Sequence, residues 1–447
     1  MSEQDVDVLV IGGGPAGSIS ALTLAQRGHS VLLLEREEFP RFHIGESLLP
    51  YLAGLLEQLN IYDVVAAQGY VEKWGGEFID PTETRFFDAV FRADFSIQGD
   101  GRHDHIFQVE RAKFDKMLLE QAEAAGATVL QGAEVFELLM DGDRMSGARY
   151  RRGGEKHEVR SRYVVDASGR AGKIAHKFGL RKKIDRLQMV GVFRHYTGYD
   201  EQNNLGAEGD IQIGVHDDGW VWAIPLDSDT ISVGTVMPRE VFRRSTPEAA
   251  FEEHRARVPR IVSRLKGTVP ATNIKVETDY CYKSDTVAGN GWVMAGDAGC
   301  FGDPMFSGGV TVAAATGFKA GQAVSDALRE PERAEEHIQH YSNFYKTGYD
   351  TYIRLIQGFY QGELLAVTAD AARTTDRAVL EKYMVRLMGG DFWSEHNPLC
   401  EEMRARSEWD TFEPFERTKG CPAYPQYDEL DRKHLAEARV ESAPTAG

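Results

Sequence analysis

The chain is poor in cysteine, short of basic residues relative to its acids, and without a long apolar run. Four cysteines stand far apart, at Cys281, Cys300, Cys400 and Cys421, and none forms a C-x-x-C pair. That pattern argues against a structural zinc or any other metal site and predicts free thiols in a reducing compartment, hence a cytoplasmic home. Lysine and arginine total 51 against 69 aspartates and glutamates, a net charge of −18. Such an acidic chain disfavours nucleic acid and anionic membranes as partners. No apolar segment reaches the ~18 residues that span a bilayer. The opening MSEQDVD is acidic and polar, unlike a secretory signal. No internal repeat is visible. What is present is 447 residues, 42% hydrophobic and 27% charged, enough for two or three domains and a large core.

The strongest local pattern lies at 5–36, DVDVLVIGGGPAGSISALTLAQRGHSVLLLER. Val8 to Ile11 form a buried strand, and Gly12, Gly14 and Gly17 supply a G-x-G-x-x-G turn into a helix. Gly12 permits the turn, Gly14 lets backbone approach a pyrophosphate, and Gly17 lets helix and strand pack closely. The helix start, with the small Ala16, offers N–H groups and a positive dipole end to phosphate. Gly28 is placed to end the helix. Glu35 closes the next strand, where a carboxylate can hold ribose hydroxyls, and Arg36 follows it. The whole is a dinucleotide-binding βαβ unit.

Two later stretches choose between dinucleotides. YVVDASGRAGKI (163–174) is a strand ending in Asp166. NGWVMAGDAGCFGDPMFSGGV (290–310) is a strand ending at Gly296-Asp297, then a glycine-rich loop. Each acid either caps its own turn or helps hold a cofactor. With QVERAKFDKMLLEQA (108–122), these stretches resemble the glutathione-reductase-type FAD proteins of the para-hydroxybenzoate hydroxylase group, over roughly residues 1–330. The resemblance implies FAD, with Asp166 and Asp297 at the cofactor and Arg111 reaching its phosphates. A solvated arginine is the plain alternative for Arg111.

The remaining chain reads more coarsely. RAKFDKMLLEQAEAAG is a helix with Phe114, Met117 and Leu118 on one face, ended by Gly126. EVFELLMDGDRMSGARYRR is a hairpin turning near Asp141–Asp143. From about 185 to 275, short strands alternate with polar turns. Beyond about 331 the chain turns helical, with aromatics at helical spacing that suit a core better than a ligand site. The expected fold is α/β. A glutathione-reductase-type, Rossmann-like FAD domain comprises 1–75, 100–184 and 276–330. An inserted antiparallel β-sheet domain on the substrate side comprises 76–99 and 185–275. A helical C-terminal region runs over 331–447 and ends in a disordered tail.

Three stretches are similar to flavin-dependent halogenases. WVWAIP, at Trp220 to Pro225, matches the family's W-x-W-x-I-P. FGDPMFSGG matches F-x-x-P-x-x-S-x-G at Phe301, Pro304, Ser307 and Gly309. FPRFHIGESLLP (39–50) resembles the loop beside the flavin, and YVEKWGGEF (70–78) carries Lys73 where the family's lysine falls. The resemblance implies FADH2, O2 and chloride or bromide as reactants. A flavin C4a-hydroperoxide oxidises halide to hypohalous acid, which travels to Lys73 beside an aromatic substrate. Trp220 and Trp222 then form a wall that keeps the substrate from the flavin; plain core packing is the competing reading. Ser307, Gly308 and Gly309 offer backbone N–H groups to the halide, with Gly309 also at the cofactor. Burial lowers the pKa of Lys73 and makes its neutral amine accessible; a solvated loop lysine is the plain alternative.

One departure narrows the substrate. Halogenases of free tryptophan carry glutamate just before the serine, whereas this chain has Phe306 in the substrate pocket. The resemblance is therefore to the shorter halogenases of phenolic, pyrrolic or carrier-tethered rings, of the kind used in antibiotic biosynthesis. Expected partners are a flavin reductase supplying FADH2 and an acyl or peptidyl carrier protein. The basic stretches LRKKIDR (180–186) and RARVPRIVSRLK (255–266) are candidate docking surfaces or ordinary solvated faces. An aromatic hydroxylase or isoprenoid reductase on the same frame, and a non-catalytic flavoprotein, remain the alternatives.

Overall fold

The structure, a computed structural model, describes residues 3–81, 89–98, 104–184, 187–200, 209–278 and 281–418. The expected disordered tail beyond 418, Cys421, and Asp185 and Arg186 of the first basic stretch lie outside them.

The first sheet grows from the nucleotide-type unit. Glu3–Ile11 pairs in parallel with Val31–Leu34 on one side and Glu155–Asp166 on the other. Trp292–Met294 and Thr128–Leu130 extend it, also in parallel. Val8, Leu9 and Val10 are buried on both faces, as a continuous apolar run requires in a parallel sheet. Glu134–Asp141 and Arg144–Arg152 form the expected antiparallel hairpin at 141–144.

Helix Pro15–Gln26 lies against the long helix Gly308–Arg329. Two glycines set their separation. A Cβ at Gly317 would stand 2.4 Å from the Ala16 carbonyl oxygen, and one at Gly321 would stand 2.7 Å from the Thr23 Cβ. Ser20 Oγ donates to the Gly317 carbonyl at 2.8 Å, locking the contact. This crossing brings the Ser307–Gly309 turn to the same end of the sheet as the glycine turn.

The second sheet runs in the order Val269–Pro270, Met189–Thr197, Ile231–Pro238, Gly219–Pro225, Ile211–His216, Gly75–Ile79, Val90–Asp94, with Lys275–Thr278 also on Met189–Thr197. It is not wholly antiparallel: Gly75–Ile79 enters parallel to Ile211–His216. The two segments come from distant parts of the chain, so no hairpin dictates their direction. The expectation of strands and turns alone over 185–275 also missed three helices, Arg239–Phe242, Pro247–Ala256 and Pro259–Arg264. Their local signals were present. Thr246 Oγ1 accepts from Ala249 N, prolines open two of them, and Ala250, Phe251 and Ile261 are buried.

The 28-residue helix Ala334–Gln361 clamps this assembly. Its tyrosines are core, and they are also tethers. Tyr341, Tyr345 and Tyr352 donate their hydroxyls to the carbonyls of Met294, Gly296 and Asp303 at 2.5, 2.7 and 2.6 Å. Spacings of four and seven put them on one helix face. The buried rings thus add side-chain partners to the backbone of the 294–303 loop, which also bonds Val287, Asp166 and Tyr282. Cys281, Cys300 and Cys400 are buried and form no disulfide among the described residues. Among the described residues no helix is long and apolar enough to cross a membrane.

Candidate active site

The glycine turn shows what each residue does. Gly12 has φ +102°, and a Cβ there would stand 2.4 Å from the Ala167 oxygen. A Cβ at Gly17 would stand 1.9 Å from the Gly12 oxygen. Both positions are closed by protein. Gly14 is different. Its φ is −70°, and a Cβ would meet only the Arg41 guanidinium, at 3.6 Å. The space over Gly14 is therefore open, and the helix that starts there has no side-chain cap on its N–H groups. Ala16 packs beside Gly296, where a Cβ would come within 3.1 Å of it. Glu35 accepts the Gly13 N–H at 2.6 Å and the Glu37 N–H at 2.8 Å, which fixes its carboxylate beside the turn. Arg36 is exposed and turned on Glu37.

The acids and arginines divide differently from expectation. Asp166 is fully buried and caps its own turn, accepting from Ser168 N, Ser168 Oγ and Ile174 N. Burial still raises its pKa against those bonds. Asp297 is half-buried, and its carboxyl is pushed up to about 7 by burial, with Arg111, Arg170 and Arg181 opposing. Arg111 is buried and holds Asp115 through Nε and Nη2 at 2.7 and 2.9 Å. Its Nη1 donates to Ile44 and Gly45 carbonyls. Arg111 thus pins the 44–45 loop, and Arg41 is the guanidinium over Gly14. Sequence reading passed over Arg41, although it lies within the quoted FPRFHIGES stretch.

The reactive centre gathers around that loop. Lys73 is 1% exposed, at the end of the strand Val71–Lys73. Its Nζ donates to the Leu48 carbonyl at 2.8 Å and lies 5.3 Å from the Phe95 ring centroid. Burial lowers its pKa to about 7, against the field of Asp210. The solvated-lysine reading is thereby excluded. Its neighbour Trp74 is exposed instead, stacked on His105 at 4.5 Å. Glu46, two residues before Leu48, is also buried; Oε1 meets His195 Nε2 at 2.7 Å, and Oε2 has no partner among the described residues. The sequence hid this pair because its members are 149 positions apart.

Trp220 and Trp222 lie side by side, centroids 5.7 Å apart, both buried. Trp222 continues through Phe193 at 5.9 Å to Phe42 at 6.2 Å, so four rings form one row. Gly234 makes room for it, since a Cβ there would stand 2.2 Å from the Trp222 ring. Trp220 Nε1 donates to the Tyr360 hydroxyl at 2.8 Å, and Trp222 Nε1 to Ser232 Oγ at 3.3 Å. Phe306 is buried between Phe359 and Phe78, at 5.9 and 6.1 Å. Ser307 adopts φ +54° and starts the helix Gly308–Arg329. Gly308 is closed by the Tyr352 ring at 2.5 Å, whereas a Cβ at Gly309 would meet only Phe301 at 3.8 Å.

The basic stretch 255–266 is largely neutralised within the fold. Arg255 pairs with Glu252, Arg257 with Glu253 and Asp218, and Arg260 with Glu77. Arg264 is buried against Tyr199. In the other stretch Lys182 pairs with Asp285. The 255–266 stretch thus behaves as an ordinary compensated face.

An open glycine cradle, an uncapped helix start, a guanidinium over it and a second open turn at Gly309 fit an FAD, and such a frame defines an FAD-dependent oxidoreductase. A family model described as FAD binding domain matches residues 5–344. Tryptophan 2-halogenase from Chondromyces crocatus is 32% identical over 371 residues, covering 79% of this chain and 67% of that protein. The brominase of 1H-pyrrole-2-carbonyl peptidyl-carrier protein from Pseudoalteromonas luteoviolacea is 31% identical, covering 73% and 79%. Among solved structures, the myxobacterial chondrochloren halogenase CndH superposes with a TM-score of 0.73 at 33% identity, over 80% of this chain and 83% of that one. The flavin-dependent brominase Bmp2 gives 0.80 at 27%, over 91% and 98%. The chain belongs to the flavin-dependent halogenases, enzymes that use FAD, O2 and a halide. Its reaction is halogenation, not hydroxylation.

Proposed function

We propose that this halogenase chlorinates or brominates an electron-rich ring, a phenol or pyrrole presented on a carrier protein, with Lys73 delivering the halogen. The observation that carries this reading is the buried lysine, with its ammonium on Leu48 and its pKa lowered to about 7. Bound FADH2 with O2 supplies the oxidising equivalent that converts halide to hypohalous acid. Arg41, Glu35, Asp297 and the Gly14 turn would hold the cofactor. Ser307, Gly308 and Gly309 would receive the halide on backbone N–H groups.

The Leu48 carbonyl accepts an N–H and cannot occupy the amine lone pair. The neutral amine is therefore free to attack hypohalous acid, forming an N–halogen bond and releasing water. The ring carbon then takes the halogen, and the nitrogen keeps the electron pair. The aromatic row Phe42–Phe193–Trp222–Trp220 closes the chamber sideways and excludes the substrate from the cofactor. A carrier is supported by the pyrrolyl-carrier-protein chlorinase and brominase among the relatives. A separate flavin reductase is expected, because the sequence carries one dinucleotide fingerprint and FAD occupies it.

The test is Lys73→Ala with FADH2, bromide and three competing substrates: a free phenol, its carrier-tethered form and tryptophan. Halogenation should vanish while flavin reoxidation continues, and wild type should favour the phenols. Loss of flavin binding in the variant, or a wild-type preference for tryptophan, overturns the reading.

A further inference from the structure

Three short segments share one small sheet at Lys73. Val71–Lys73 pairs antiparallel with Ile106–Gln108, which sets Lys73 opposite Ile106 and Val71 opposite Gln108. The other edge of Ile106–Gln108 takes Ser47, opposite Gln108. Leu48 N donates to the Phe107 carbonyl and Val109 N to the Glu46 carbonyl, so the bonds flank the Ser47–Gln108 pair instead of joining it. In a pair of this kind the Cβ atoms stand about 4.5–5.5 Å apart on one face. Alternation puts Ile106 and Gln108 on the same face, and cross-strand pairing adds Lys73 and Ser47 to it. Lys73 crosses the middle strand there to reach the Leu48 carbonyl at 2.8 Å, one residue from Ser47. The same alternation turns Glu46 to the opposite face.

This face is closed to solvent. Ser47 and Gln108 are 4% and 0% exposed, and the Phe95 ring centroid lies 5.3 Å from the lysine nitrogen. Gly209 sits over Val71, and Gln108 Nε2 donates to its carbonyl at 3.0 Å. Two buried polar atoms remain. Ser47 Oγ and Gln108 Oε1 have no hydrogen-bond partner among the described residues. A hydroxyl and an amide oxygen left bare side by side are costly unless a ligand completes them. The hydroxyl gives one proton and accepts two bonds, whereas the amide oxygen only accepts. Together with an amine they suit a small neutral molecule with one O–H, one acceptor oxygen and one electrophilic atom. Hypohalous acid is such a molecule.

We propose that Ser47 and Gln108 are catalytic residues that hold hypohalous acid against Lys73. The inference rests on the halogen-carrying lysine proposed above. Gln108 Oε1 accepts the O–H of the acid, and Ser47 Oγ donates to the same oxygen. The oxygen end is thereby fixed, and the halogen end is left to the amine. The nitrogen lone pair forms the N–halogen bond, and the O–halogen bond breaks with its electron pair on oxygen. Ser47 gives that oxygen its proton and recovers one from the nitrogen. Amine and hypohalous acid thus become N-halo amine and water. The halogen keeps its oxidation state, and no further oxidant is consumed.

The experiment compares wild type, Ser47→Ala, Gln108→Met and Lys73→Ala with FADH2, O2, bromide and a phenol. A soluble 1,3-diketone in excess traps any hypobromous acid that escapes the protein. Bromophenol, bromodiketone and flavin reoxidation are measured together. Ser47→Ala should lose ~10²-fold in bromophenol formation, the size of a missing general acid. Gln108→Met should lose about tenfold, the size of one hydrogen bond. In both, flavin reoxidation should keep its wild-type rate, and the lost bromine should appear on the diketone. Since the Ser47 hydroxyl has no partner in the fold, Ser47→Ala should also keep the melting temperature of the wild-type apoprotein, which loss of a structural hydroxyl would lower. Unchanged bromophenol in both variants overturns the inference. So does a fall in flavin reoxidation, bromine missing from the diketone, or a lowered melting temperature in Ser47→Ala. A Lys73→Ala protein that still brominates the phenol overturns the lysine reading as well. An inactive Lys73→Ala beside fully active Ser47→Ala and Gln108→Met overturns the inference alone.

Discussion

Lys73 reaches the carbonyl of Leu48 at 2.8 Å, and Leu48 lies two residues beyond Glu46, whose carboxylate meets His195. The loop thought to lie beside the flavin and the strand that carries the lysine are therefore one unit. Val109 N on the Glu46 carbonyl and Leu48 N on the Phe107 carbonyl complete it. Backbone hydrogen bonds, more than side-chain contacts, set where the amine sits.

The lysine should make halogenation depend on pH. Its folded pKa of about 7 lies below its unfolded value of 10.5. The reactive amine is the neutral form, so the halogen-transfer rate should rise from pH 6 to 8 with a midpoint near 7. Stability follows the same sign. Between about 7 and 10.5 the unfolded chain binds more protons than the folded one, so unfolding free energy increases with pH there. Lys73→Met should remove this slope. Paired urea titrations at several pH values check it, and identical slopes in both proteins would refute the buried amine.

The glycines should separate fold from cofactor. Gly14→Val adds a side chain to open space at ordinary φ, so the apoprotein should keep its melting temperature and lose FAD. Gly17→Ala drives a methyl into the Gly12 carbonyl and should destabilise the apoprotein itself, by roughly 2 kcal/mol or more. Flavin absorbance and calorimetry read the two effects. Full FAD content in Gly14→Val would end the cradle assignment.

The tryptophan wall should fail in a recognisable way. Trp222→Ala empties a buried ring site between Phe193 and Trp220 and should cost about 3–5 kcal/mol. The opened space lets the organic substrate approach the cofactor, so a hydroxylated product should appear beside the halogenated one. Mass spectrometry of the reaction mixture distinguishes them. A destabilised variant with only the halogenated product would return the pair to plain core packing.

Carrier dependence should not act through 255–266. Arg257 pairs with Asp218 and Glu253 of this same chain at the surface, so Arg257→Ala with a carrier-tethered phenol should change KM by less than about twofold, in keeping with a compensated face. A tenfold rise in KM, read by steady-state kinetics, would place the carrier on that face after all.

Local chemistry is what the sequence carried by itself. A glycine turn between a strand and a helix, the alternating Trp220 and Trp222, and Lys73 next to Gly75-Gly76 are signatures written in contiguous residues; the fold places the first two on the expected elements and Lys73 at the end of a short strand. Helix and strand periods and the steric needs of glycine act over a few positions, so a linear reading captures them. The antiparallel expectation for the second sheet failed at Gly75–Ile79, and the long-range pairings were invisible, for one reason. Glu46 with His195, Trp220 with Tyr360, and Gly317 with Ala16 are separated by 149, 140 and about 300 residues. Only the packing of Gly308–Arg329 on Pro15–Gln26, and of Ala334–Gln361 on Gly308–Arg329, decides which distant groups share a buried, low-dielectric chamber. That burial, and not the identity of the lysine, is what brings its amine to about 7.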